Sequence, residues 1–391
     1  MVDTISGNTE TNVRRRYADA AVKVEPQLCC ASTEYDDNLL DNVPREVVEV
    51  DYGCGDPTRW LQPGDTVLDL GSGSGKVCYL AAQVVGGEGR VVGVDFNEPM
   101  LAIARKHQRE FAGRIGYDNL SFKKGRIQDL ALDLEVLEAW LGDHPVQSAD
   151  DYLAMQEHAA GLRAAQPMIP SDSIGCIVSN CVLNLVQPAD KRQLFAEMYR
   201  VLRRGGRCVI SDIVSDEAVP AHLQRDPELW SGCISGALRE DAFLGAFEEV
   251  GFYGIEILER GDRPWHTVEG IEFRSVTVRA FKGKEGPCLD RNQAVIYKGP
   301  WKAVVDDDGH TLYRGEPMAV CDKTFNIYTG VPYAADIAAV PPRQDVPLDA
   351  AGPFDCRKDS RRTPRQTKGQ AYRETIAADT GACCSPDADC C

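Results

Sequence analysis

Glycines and acidic residues recur early in the chain with a spacing suited to a nucleotide-like ligand. Gly71, Gly73 and Gly75 follow the apolar run 67–70, and a helical pattern comes next. Glycines let a ligand approach the backbone closely, and the first turn of a helix offers unpaired N–H groups. Asp95 ends the next apolar run, where a carboxylate can accept hydrogen bonds from ribose hydroxyls. The spacing differs from the dinucleotide pattern G-x-G-x-x-G, so the loop alone does not identify the ligand.

Three cysteines lie in sequence settings that differ from those of ordinary core residues. Cys181 comes where a buried strand pattern ends, and ligands bind at the carboxyl ends of strands in open parallel α/β sheets. Cys54 lies in the turn YGCG and Cys233 in the glycine-containing stretch WSGCISGA. Such segments expose a thiol and bring backbone near a ligand. The three thiols predict a site for a soft atom, and the alternative for each is a small buried residue.

The composition limits the class of protein that can present these groups. The chain has 391 residues, 43% of them hydrophobic, which suits a globular protein. Its net charge of −17 argues against nucleic acid or an anionic membrane as a partner. No apolar run approaches the ~18 residues that cross a bilayer, and no apolar segment follows the first basic residues, so we expect a cytoplasmic protein.

Strand and helix patterns alternate between residues 63 and 212, which predicts a Rossmann-like, doubly wound parallel sheet. The predicted strands are 67–70, 90–95, 120–124, 172–178 and 207–212, and the predicted helices are 76–85, 97–111 and 189–202, with a turn at 203–206. Residues 131–168 read as a helical insertion. The apolar patterns around Cys78, Cys176 and Cys208 predict that these are small buried residues.

The remaining segments are predicted to form separate regions. Residues 1–62 are a cysteine-bearing leader, and 213–285 are a smaller α+β region with a helix near 239–250 and strands at 254–259 and 274–281. Residues 286–345 lean toward β-structure. Residues 346–391 are polar and are predicted to be a disordered tail, which ends in the cysteine-rich motif CCSPDADCC.

The glycine loop, Asp95 and the pair that follows the third strand, Ile127 and Gln128, together resemble the class I S-adenosylmethionine-dependent methyltransferases. The resemblance covers roughly residues 63–212 and implies S-adenosylmethionine as the cofactor. The cofactor-binding residues that it implies are Asp69, Gly71, Ser72, Gly73, Gly75, Asp95, Phe96, Ile127, Gln128 and Asn180. The alternative is a nucleotide-fold protein that binds a different ligand.

The cysteine pattern favours a three-coordinate atom in the position of the methyl acceptor. Zinc sites normally show paired ligands such as C-x-x-C or a histidine partner, whereas Cys54, Cys181 and Cys233 are far apart and none of the six histidines is near them in sequence. We therefore expect no structural metal. Trivalent arsenic binds three sulfurs and keeps a lone pair, which can attack a methyl carbon directly. Acceptor oxygen or nitrogen atoms usually need help in losing a proton, and no convincing acid–base pair is evident.

Four stretches closely resemble the arsenite methyltransferases: YGCG, LDLGSGSG, SNCVLNLV and WSGC. The resemblance implies that Cys181 and Cys233 bind arsenic throughout the cycle and that Cys54 is the third ligand. Cys54 would also form a disulfide with a leader cysteine, Cys29 or Cys30, and the stretch PQLCCAST favours Cys29. Thioredoxin or glutathione would then restore the thiols. The resemblance further implies arsenite or glutathione-bound arsenic as substrate, an arsenic-binding role for residues 213–285, and a monomer.

Two other functions remain open from the sequence. One is a methyltransferase for selenite, tellurite, a thiol or an organic carbon, and the other is a non-catalytic metalloid-binding protein. Loss of activity in Cys181→Ser and Cys233→Ser would favour arsenic over a carbon acceptor. The tail motif would either capture As(III) or be a dispensable metal scavenger, and no function is predicted for Cys288 and Cys321.

Overall fold

The structure is a computed structural model that describes residues 6–23, 25, 35–369 and 371–373. The chain divides into two compact units, Met1–Gly283 and Lys284–Cys391. The α-helices are α1 Ser6–Val22, α2 Asp37–Leu40, α3 Arg45–Glu49, α4 Lys76–Val85, α5 Glu98–Lys106, α6 Gln108–Ile115, α7 Leu134–Asp143, α8 Ala149–Ala165, α9 Pro188–Val201, α10 Ala221–Gln224, α11 Pro227–Ser231, α12 Glu240–Glu249, α13 Asp322–Tyr328 and α14 Pro364–Lys368. The strands are β1 Thr66–Leu70, β2 Arg90–Asp95, β3 Leu120–Lys124, β4 Ile174–Asn180, β5 Leu202–Ser215, β6 Leu238–Arg239, β7 Tyr253–Arg260, β8 His266–Val268, β9 Ile271–Phe281, β10 Leu289–Asp290, β11 Ala294–Tyr297, β12 Ala303–Val305, β13 Thr311–Tyr313, β14 Pro317–Ala319, β15 Ile337–Val340 and β16 Gly352–Pro353.

A nine-stranded sheet organises the first unit. Its main order is β3-β2-β1-β4-β5-β9-β7, with β6 beside β5 and β8 beside β9. Strands β1 to β5 are parallel, β9 runs antiparallel to β5, and β7 pairs antiparallel with β9 and so runs in the direction of β1 to β5. The strand order reverses between β1 and β4, and this switch point is where α/β sheets bind ligands. The predicted Rossmann-like fold is confirmed.

The register of the central strands brings their carboxyl ends to one level. Leu70 at the end of β1 lies opposite Val94 on β2 and Ser179 on β4. The next residues on those strands, Asp95 and Asn180, therefore lie at the same edge of the sheet. This edge holds the side chains that the sequence predicted to bind ligands.

Both faces of the sheet are buried, and side chains alternate between two core clusters. Leu68 and Leu70 pack with Phe195 of α9 on one face. Val67 packs with Cys176 and the helix α4 residues on the other face. Parallel strands buried on both faces show near-continuous apolar runs, which explains why the strand predictions here agree with the structure. The predicted burial of the cysteines Cys78, Cys176 and Cys208 is also confirmed.

Three element predictions differ from the structure. The helix predicted at 97–111 is divided at His107 into α5 and α6 and continues to Ile115. The turn predicted at 203–206 lies inside β5, whose pairing with β4 is irregular there. The division predicted after residue 212 falls within the sheet, because β9 pairs with β5 from Arg207–Phe281 to Ser215–Phe273. Residues 213–283 therefore belong to the same compact unit as the parallel strands.

The leader and the insertion are largely helical. The sequence did not predict α1, α2 or α3 in the leader, and residues 26–34, with Cys29 and Cys30, lie outside the described residues. The insertion contains α7 and α8 as predicted, with Asp133 and Ser148 accepting hydrogen bonds from the first N–H groups of each helix. No helix among the described residues is long and apolar enough to cross a membrane.

The second unit is built from short strands, as predicted. β11 is the central strand of a three-stranded sheet, β14-β11-β15, and β10–β16 and β12–β13 form two further pairs. The prediction of disorder from residue 346 is wrong for residues 346–369. Arg362 there pairs with Asp290 at 2.8 Å, and Thr363 forms a capping box with Gln366 at the start of α14. The four cysteines of the terminal motif lie outside the described residues.

Candidate active site

A pocket of about 1090 Å³ lies at the carboxyl edge of the parallel strands. The predicted residues that line it are Asp69, Gly71, Ser72, Gly73, Asp95, Phe96, Ile127, Gln128, Asn180 and Cys181. Gly75 is not among them and instead precedes α4. Residues that the sequence placed in separate motifs therefore surround one cavity.

The three loop glycines serve different purposes, although each has a positive φ. A Cβ on Gly71 would lie 2.3 Å from Cγ1 of Val182, so this glycine allows the loop to contact the segment after β4. A Cβ on Gly75 would lie 2.9 Å from the ring of Phe122. A Cβ on Gly73 would meet nothing within 4 Å, because Gly73 faces the open pocket. The loop is thus fixed at its ends and open to a ligand in the middle.

Asp95 connects the glycine loop to the turn after β2. Its Oδ2 accepts a hydrogen bond from Gly73 N at 2.9 Å, and its Oδ1 accepts one from Asn97 N at 2.8 Å. Burial raises the pKa of Asp95, while the N–H groups of Asn97, Gly73 and Phe96 oppose this. The carboxylate lines the pocket, in the position where nucleotide folds bind ribose hydroxyls.

Two polar atoms in the pocket wall have no partner in the described part of the chain. Ser72 Oγ and Asn97 Oδ1 are buried without a hydrogen bond. Buried polar atoms are normally paired, so a donor-bearing ligand would relieve both. An adenosine-containing ligand with several hydroxyl and amino groups meets this need, and S-adenosylmethionine fits the site.

Asp69 places a second carboxyl group in the pocket wall. Burial raises the pKa of Asp69 to about 7, and the Cys78 thiol opposes this by donating to Oδ2 at 3.1 Å. The negative charges of Asp95 and Asp51 raise the pKa further. No basic side chain contributes to this shift, so a cationic ligand would stabilise the ionised form of Asp69.

The three predicted arsenic ligands share one buried cluster beside the pocket. Cys54, Cys181 and Cys233 are 7, 3 and 5% exposed and pack together with Ile213 and Phe273. Cys233 Sγ donates to the carbonyl oxygen of Cys181 at 3.1 Å. Among the described residues, the three sulfurs do not all lie within 4.8 Å of one another. Binding one atom through all three therefore requires the sulfurs to move closer together.

Backbone strain occurs at two of these cysteines. Cys181 and Cys233 both have φ of 63°, in the left-handed region. Unlike asparagine and aspartate, cysteine has no special tolerance for that region, and such strain is most often retained at functional sites. The strained backbone fixes where each sulfur points.

Asn180 positions the Cys54 turn from the end of β4. Its Oδ1 accepts from the N–H groups of Cys54 and Gly55 at 2.8 and 3.0 Å. Its Nδ2 donates to Gly55 O at 2.6 Å and to the Tyr35 hydroxyl at 3.1 Å. A Cβ on Gly53 would lie 2.2 Å from this amide, so the turn needs glycine there. The amide expected to contact the cofactor is thus already hydrogen-bonded within the protein.

Asn184 links the segments that carry the other two cysteines, and the sequence did not single it out. Its Nδ2 donates to Ile213 O at 2.7 Å and to Cys233 O at 3.2 Å. Nearby, Lys191 Nζ donates to Leu183 O at 2.7 Å. Burial lowers the pKa of Lys191 to about 8, against the opposing effect of the Asp212 charge. The stretch SNCVLNLV contained Asn184, but only its contacts reveal the role.

Helix α1 forms a wall of the pocket that the sequence did not predict. Glu10, Val13 and Tyr17 line the cavity, and Glu10 pairs with Arg126 at 2.9 Å. Apolar residues recur along α1 at helical spacing, which is the signal that could have identified it. The leader thus contributes to the cofactor pocket, while Cys29 lies outside the described residues.

Comparisons with known proteins agree with this geometry. A family model described as "Methyltransferase domain" matches residues 61–251, and one described as "Domain of unknown function (DUF8838)" matches residues 284–372. An arsenite methyltransferase from Aquipseudomonas alcaligenes is 34% identical over 76% of this chain and 79% of its own length. The arsenite methyltransferase of Mus musculus is 29% identical over 79% of this chain and 75% of its own length.

A solved structure shows the same relationship. The X-ray structure of an arsenic(III) S-adenosylmethionine methyltransferase from Chlamydomonas reinhardtii has a TM-score of 0.54 and 30% identity, and it covers 83% of this chain and 100% of that chain. The resemblance drawn from the four sequence stretches is therefore confirmed. The chain belongs to the arsenite methyltransferase family.

Proposed function

We propose that the protein transfers methyl groups from S-adenosylmethionine to trivalent arsenic held by Cys54, Cys181 and Cys233, and so acts in arsenic detoxification. The observation that carries the proposal is the shared cluster of three buried thiols beside a pocket that also contains the glycine loop and Asp95. A methyltransferase for oxygen, nitrogen or carbon has no use for three thiols in that place.

Binding arsenite to the three thiols requires no redox change. As(OH)₃ and three cysteine thiols give an arsenic atom with three As–S bonds, and the three hydroxyls leave as water with the thiol protons. Cys181 and Cys233 both have strained backbone, and Asn184 also donates a hydrogen bond to the carbonyl oxygen of Cys233. The Cys54 turn, held by Asn180, supplies the third sulfur.

The methyl acceptor is the lone pair that arsenic retains when it is bound by three sulfurs. S-adenosylmethionine supplies an electrophilic methyl group on its sulfonium when bound. Asp95 and the backbone of Gly73 are suited to bind the ribose and the neighbouring part of S-adenosylmethionine. Asp69 is suited to lie near a positively charged group of this ligand. The lone pair carries no proton, so the protein needs no general base for the transfer.

Repeated methylation requires a source of electrons. Transfer of a methyl cation to As(III) gives As(V), and two electrons return it to As(III). We propose that Cys54 and Cys29 supply them by forming a disulfide, with Cys30 as the alternative partner. Thioredoxin or glutathione then reduces the disulfide by thiol exchange.

The test is to incubate the purified chain with S-adenosylmethionine, glutathione and arsenite, and to separate arsenic species by chromatography with elemental detection. We expect methylated arsenic from the native protein and none from Cys181→Ser. The matched control is Cys208→Ser, which changes another fully buried cysteine in a strand of the same sheet, away from the thiol cluster.

Three results would contradict the proposal. If Cys181→Ser produced methylated arsenic at the native rate, the Cys181 thiol would not be required for the reaction. Binding of S-adenosylmethionine without any methylated arsenic from the native protein would indicate a different acceptor. Binding of arsenite without binding of S-adenosylmethionine would instead indicate a sequestering protein.

A further inference from the structure

The second unit contains another cluster of three cysteines. The sulfurs of Cys288, Cys321 and Cys356 all lie within 4.8 Å of one another. The three residues are far apart in sequence and come from three different segments of the unit. No function was predicted for the first two, and Cys356 was not associated with them. This cluster is hereafter the C-terminal thiol cluster.

Secondary structure on each side brings the three segments together. Cys288 precedes β10 and Cys356 follows β16, and these strands pair antiparallel, with Phe354 N donating to Cys288 O at 2.9 Å. Cys321 follows β14, and the neighbouring Val320 O accepts from Gln293 Nε2 at 2.7 Å. Thr324 N donates to Cys321 Sγ at 3.4 Å, which fixes that sulfur. The cluster is therefore assembled by the fold of the unit and not by a local motif.

The cluster is buried on one side and accessible on the other. Cys321 is fully buried, whereas Cys288 and Cys356 are half-buried, so a small solute can reach the sulfurs. Burial raises the pKa of Cys356, and its contacts with Cys288 and Cys321 raise it further.

The ligand set indicates which class of atom the cluster suits. Within the described residues, no histidine, carboxylate or further cysteine lies within 4.8 Å of all three sulfurs. Structural zinc sites have four protein ligands. Arsenous acid needs only three sulfurs, and its hydroxyls accept the thiol protons and leave as water. A set of three sulfurs without a fourth ligand therefore suits arsenite better than zinc.

We propose that Cys288, Cys321 and Cys356 form a second, non-catalytic binding site for inorganic trivalent arsenic. Binding forms three As–S bonds and releases three waters, with no oxidation or reduction. The described residues that line the methyl-donor pocket all lie between Glu10 and Gln187, so Cys288, Cys321 and Cys356 are not among them. The choice of arsenic over another thiophilic trivalent atom rests on the proposed function.

The number of sulfurs also predicts which arsenical the site selects. Inorganic arsenite has three hydroxyls to exchange for sulfur, whereas a singly methylated As(III) species has two and leaves one thiol unused. The C-terminal thiol cluster should therefore retain arsenite better than methylated arsenic. Such a site would hold substrate rather than product.

The test counts arsenic atoms per chain. The full-length native protein, Cys288→Ser/Cys356→Ser and the control Cys208→Ser are reduced, mixed with excess arsenite, desalted and analysed by elemental mass spectrometry. The double variant changes only half-buried cysteines and leaves a lone thiol that cannot chelate. We expect it to bind one arsenic fewer than the native protein, and we expect Cys208→Ser to bind the native number. Thermal unfolding and circular dichroism establish that each variant is folded.

Methylation measured on the same samples separates this inference from the proposed function. At saturating arsenite, the double variant should methylate at the native rate. If no protein methylates arsenite but the double variant still binds one arsenic fewer, the proposed function fails and the second site stands. The same arsenic count in the native protein and the double variant would overturn the second site.

A zinc arm tests the competing metal. Zinc(II) is added to the reduced native protein in weak buffer, and bound zinc and released protons are measured. We expect no bound zinc that is lost when Cys288 and Cys356 are replaced by serine. The second site would be overturned by one tightly bound zinc per chain that releases protons, resists arsenite and is lost in the double variant. His310, whose buried Nε2 has no partner among the described residues, would then be the fourth ligand to examine.

Discussion

The side chain of Asn180 holds the main chain of Cys54. Its amide oxygen accepts hydrogen bonds from the N–H groups of Cys54 and Gly55. Its amide nitrogen donates hydrogen bonds to Gly55 O and to the Tyr35 hydroxyl. A residue at the end of β4 thereby fixes a turn from the leader. The residue next to it, Cys181, is a proposed arsenic ligand, so one segment both supplies a sulfur and positions another.

Replacing Asn180 by alanine should weaken arsenite binding more than cofactor binding. The change leaves two N–H groups without an acceptor, which costs about 1–3 kcal/mol for each group that stays buried. The Cys54 turn should loosen, and arsenite affinity should fall about tenfold or more. Titration calorimetry with arsenite and, separately, with S-adenosylmethionine checks both affinities.

The matched control is Tyr35→Phe, which removes one hydroxyl from the same network and leaves the Asn180 amide in place. In the native protein the Tyr35 hydroxyl donates a hydrogen bond to Gly55 O at 2.9 Å. We expect its removal to cause a smaller loss of arsenite affinity than Asn180→Ala. A large loss of S-adenosylmethionine affinity in Asn180→Ala, with arsenite affinity unchanged, would instead make Asn180 a cofactor contact, as the sequence suggested.

Asp69 should make cofactor binding depend on pH. Burial raises the pKa of Asp69 to about 7, well above the usual value for an aspartate. A cationic ligand favours the ionised carboxylate, so S-adenosylmethionine affinity should rise between about pH 6 and pH 8. Asp69→Asn should remove this dependence and weaken binding about 10–100-fold at pH 8, the effect of losing a charged hydrogen bond.

The raised pKa of Asp69 should make the ligand-free protein less stable as pH rises, whereas it makes cofactor binding stronger. The native state binds a proton at Asp69 that the unfolded chain has already lost, so this group's contribution to stability falls as pH rises from about 4 to 7. Ligand-free Asp69→Asn should therefore gain stability over the native protein at pH 8 in denaturant titrations.

Cys78 provides the control for the pKa of Asp69. Its thiol donates to Asp69 and lowers that pKa, so Cys78→Ala should move the midpoint of S-adenosylmethionine binding to higher pH. Identical midpoints in Cys78→Ala and the native protein would assign the pH dependence to another group.

Arg16 ties the pocket-covering helix α1 to the segment that carries Cys233. Its Nη1 donates to Glu228 O at 2.9 Å and to Ser231 Oγ at 2.7 Å, both in α11. Arg16→Ala should therefore lower arsenite affinity about three- to tenfold, the effect of one or two lost hydrogen bonds. Arg15→Ala is the control, because Arg15 is exposed and its hydrogen bond within the described residues is a local one to Asn12. Equal arsenite affinities in the two variants would show that α1 and α11 are not coupled.

The parallel sheet and its ligand edge were predictable from sequence, because buried parallel strands are nearly continuous apolar runs and the glycines follow the first of them directly. Val67–Leu70, the glycine loop and Asp95 are all local signals. Cys54, Cys181 and Cys233 were associated through their glycine-flanked or strand-end settings, the family resemblance then gave them roles, and the structure gathers them in one cluster.

Other features depend on contacts between distant segments, which no local pattern encodes. The apolar spacing along α1 is a local signal for a helix, but its place beside the pocket depends on distant partners such as Arg126 and Ser231. Cys288 and Cys356 meet through a pairing of only two residues per strand, β10 with β16, which leaves almost no periodic signal. The role of Asn184 likewise requires knowing that Cys233 lies beside it.

Gly71 and Val182 couple the cofactor loop to the arsenic-binding segment. A Cβ on Gly71 would lie 2.3 Å from Cγ1 of Val182, which is next to Cys181. Gly71→Ala should therefore displace Val182 and weaken arsenite binding as well as S-adenosylmethionine binding. The unfolding free energy should fall by more than the ~1–2 kcal/mol that a left-handed backbone costs alanine, because the overlap adds to it.

Two further variants separate overlap from backbone strain. Gly71→Ala/Val182→Ala removes the overlapping methyl groups and should recover part of the arsenite affinity and stability, leaving mainly the backbone cost. Gly73→Ala also has a positive φ, but its Cβ faces open space, so it should weaken S-adenosylmethionine binding while arsenite binding stays near native. If the double variant binds arsenite no better than Gly71→Ala, the coupling does not pass through the Val182 side chain.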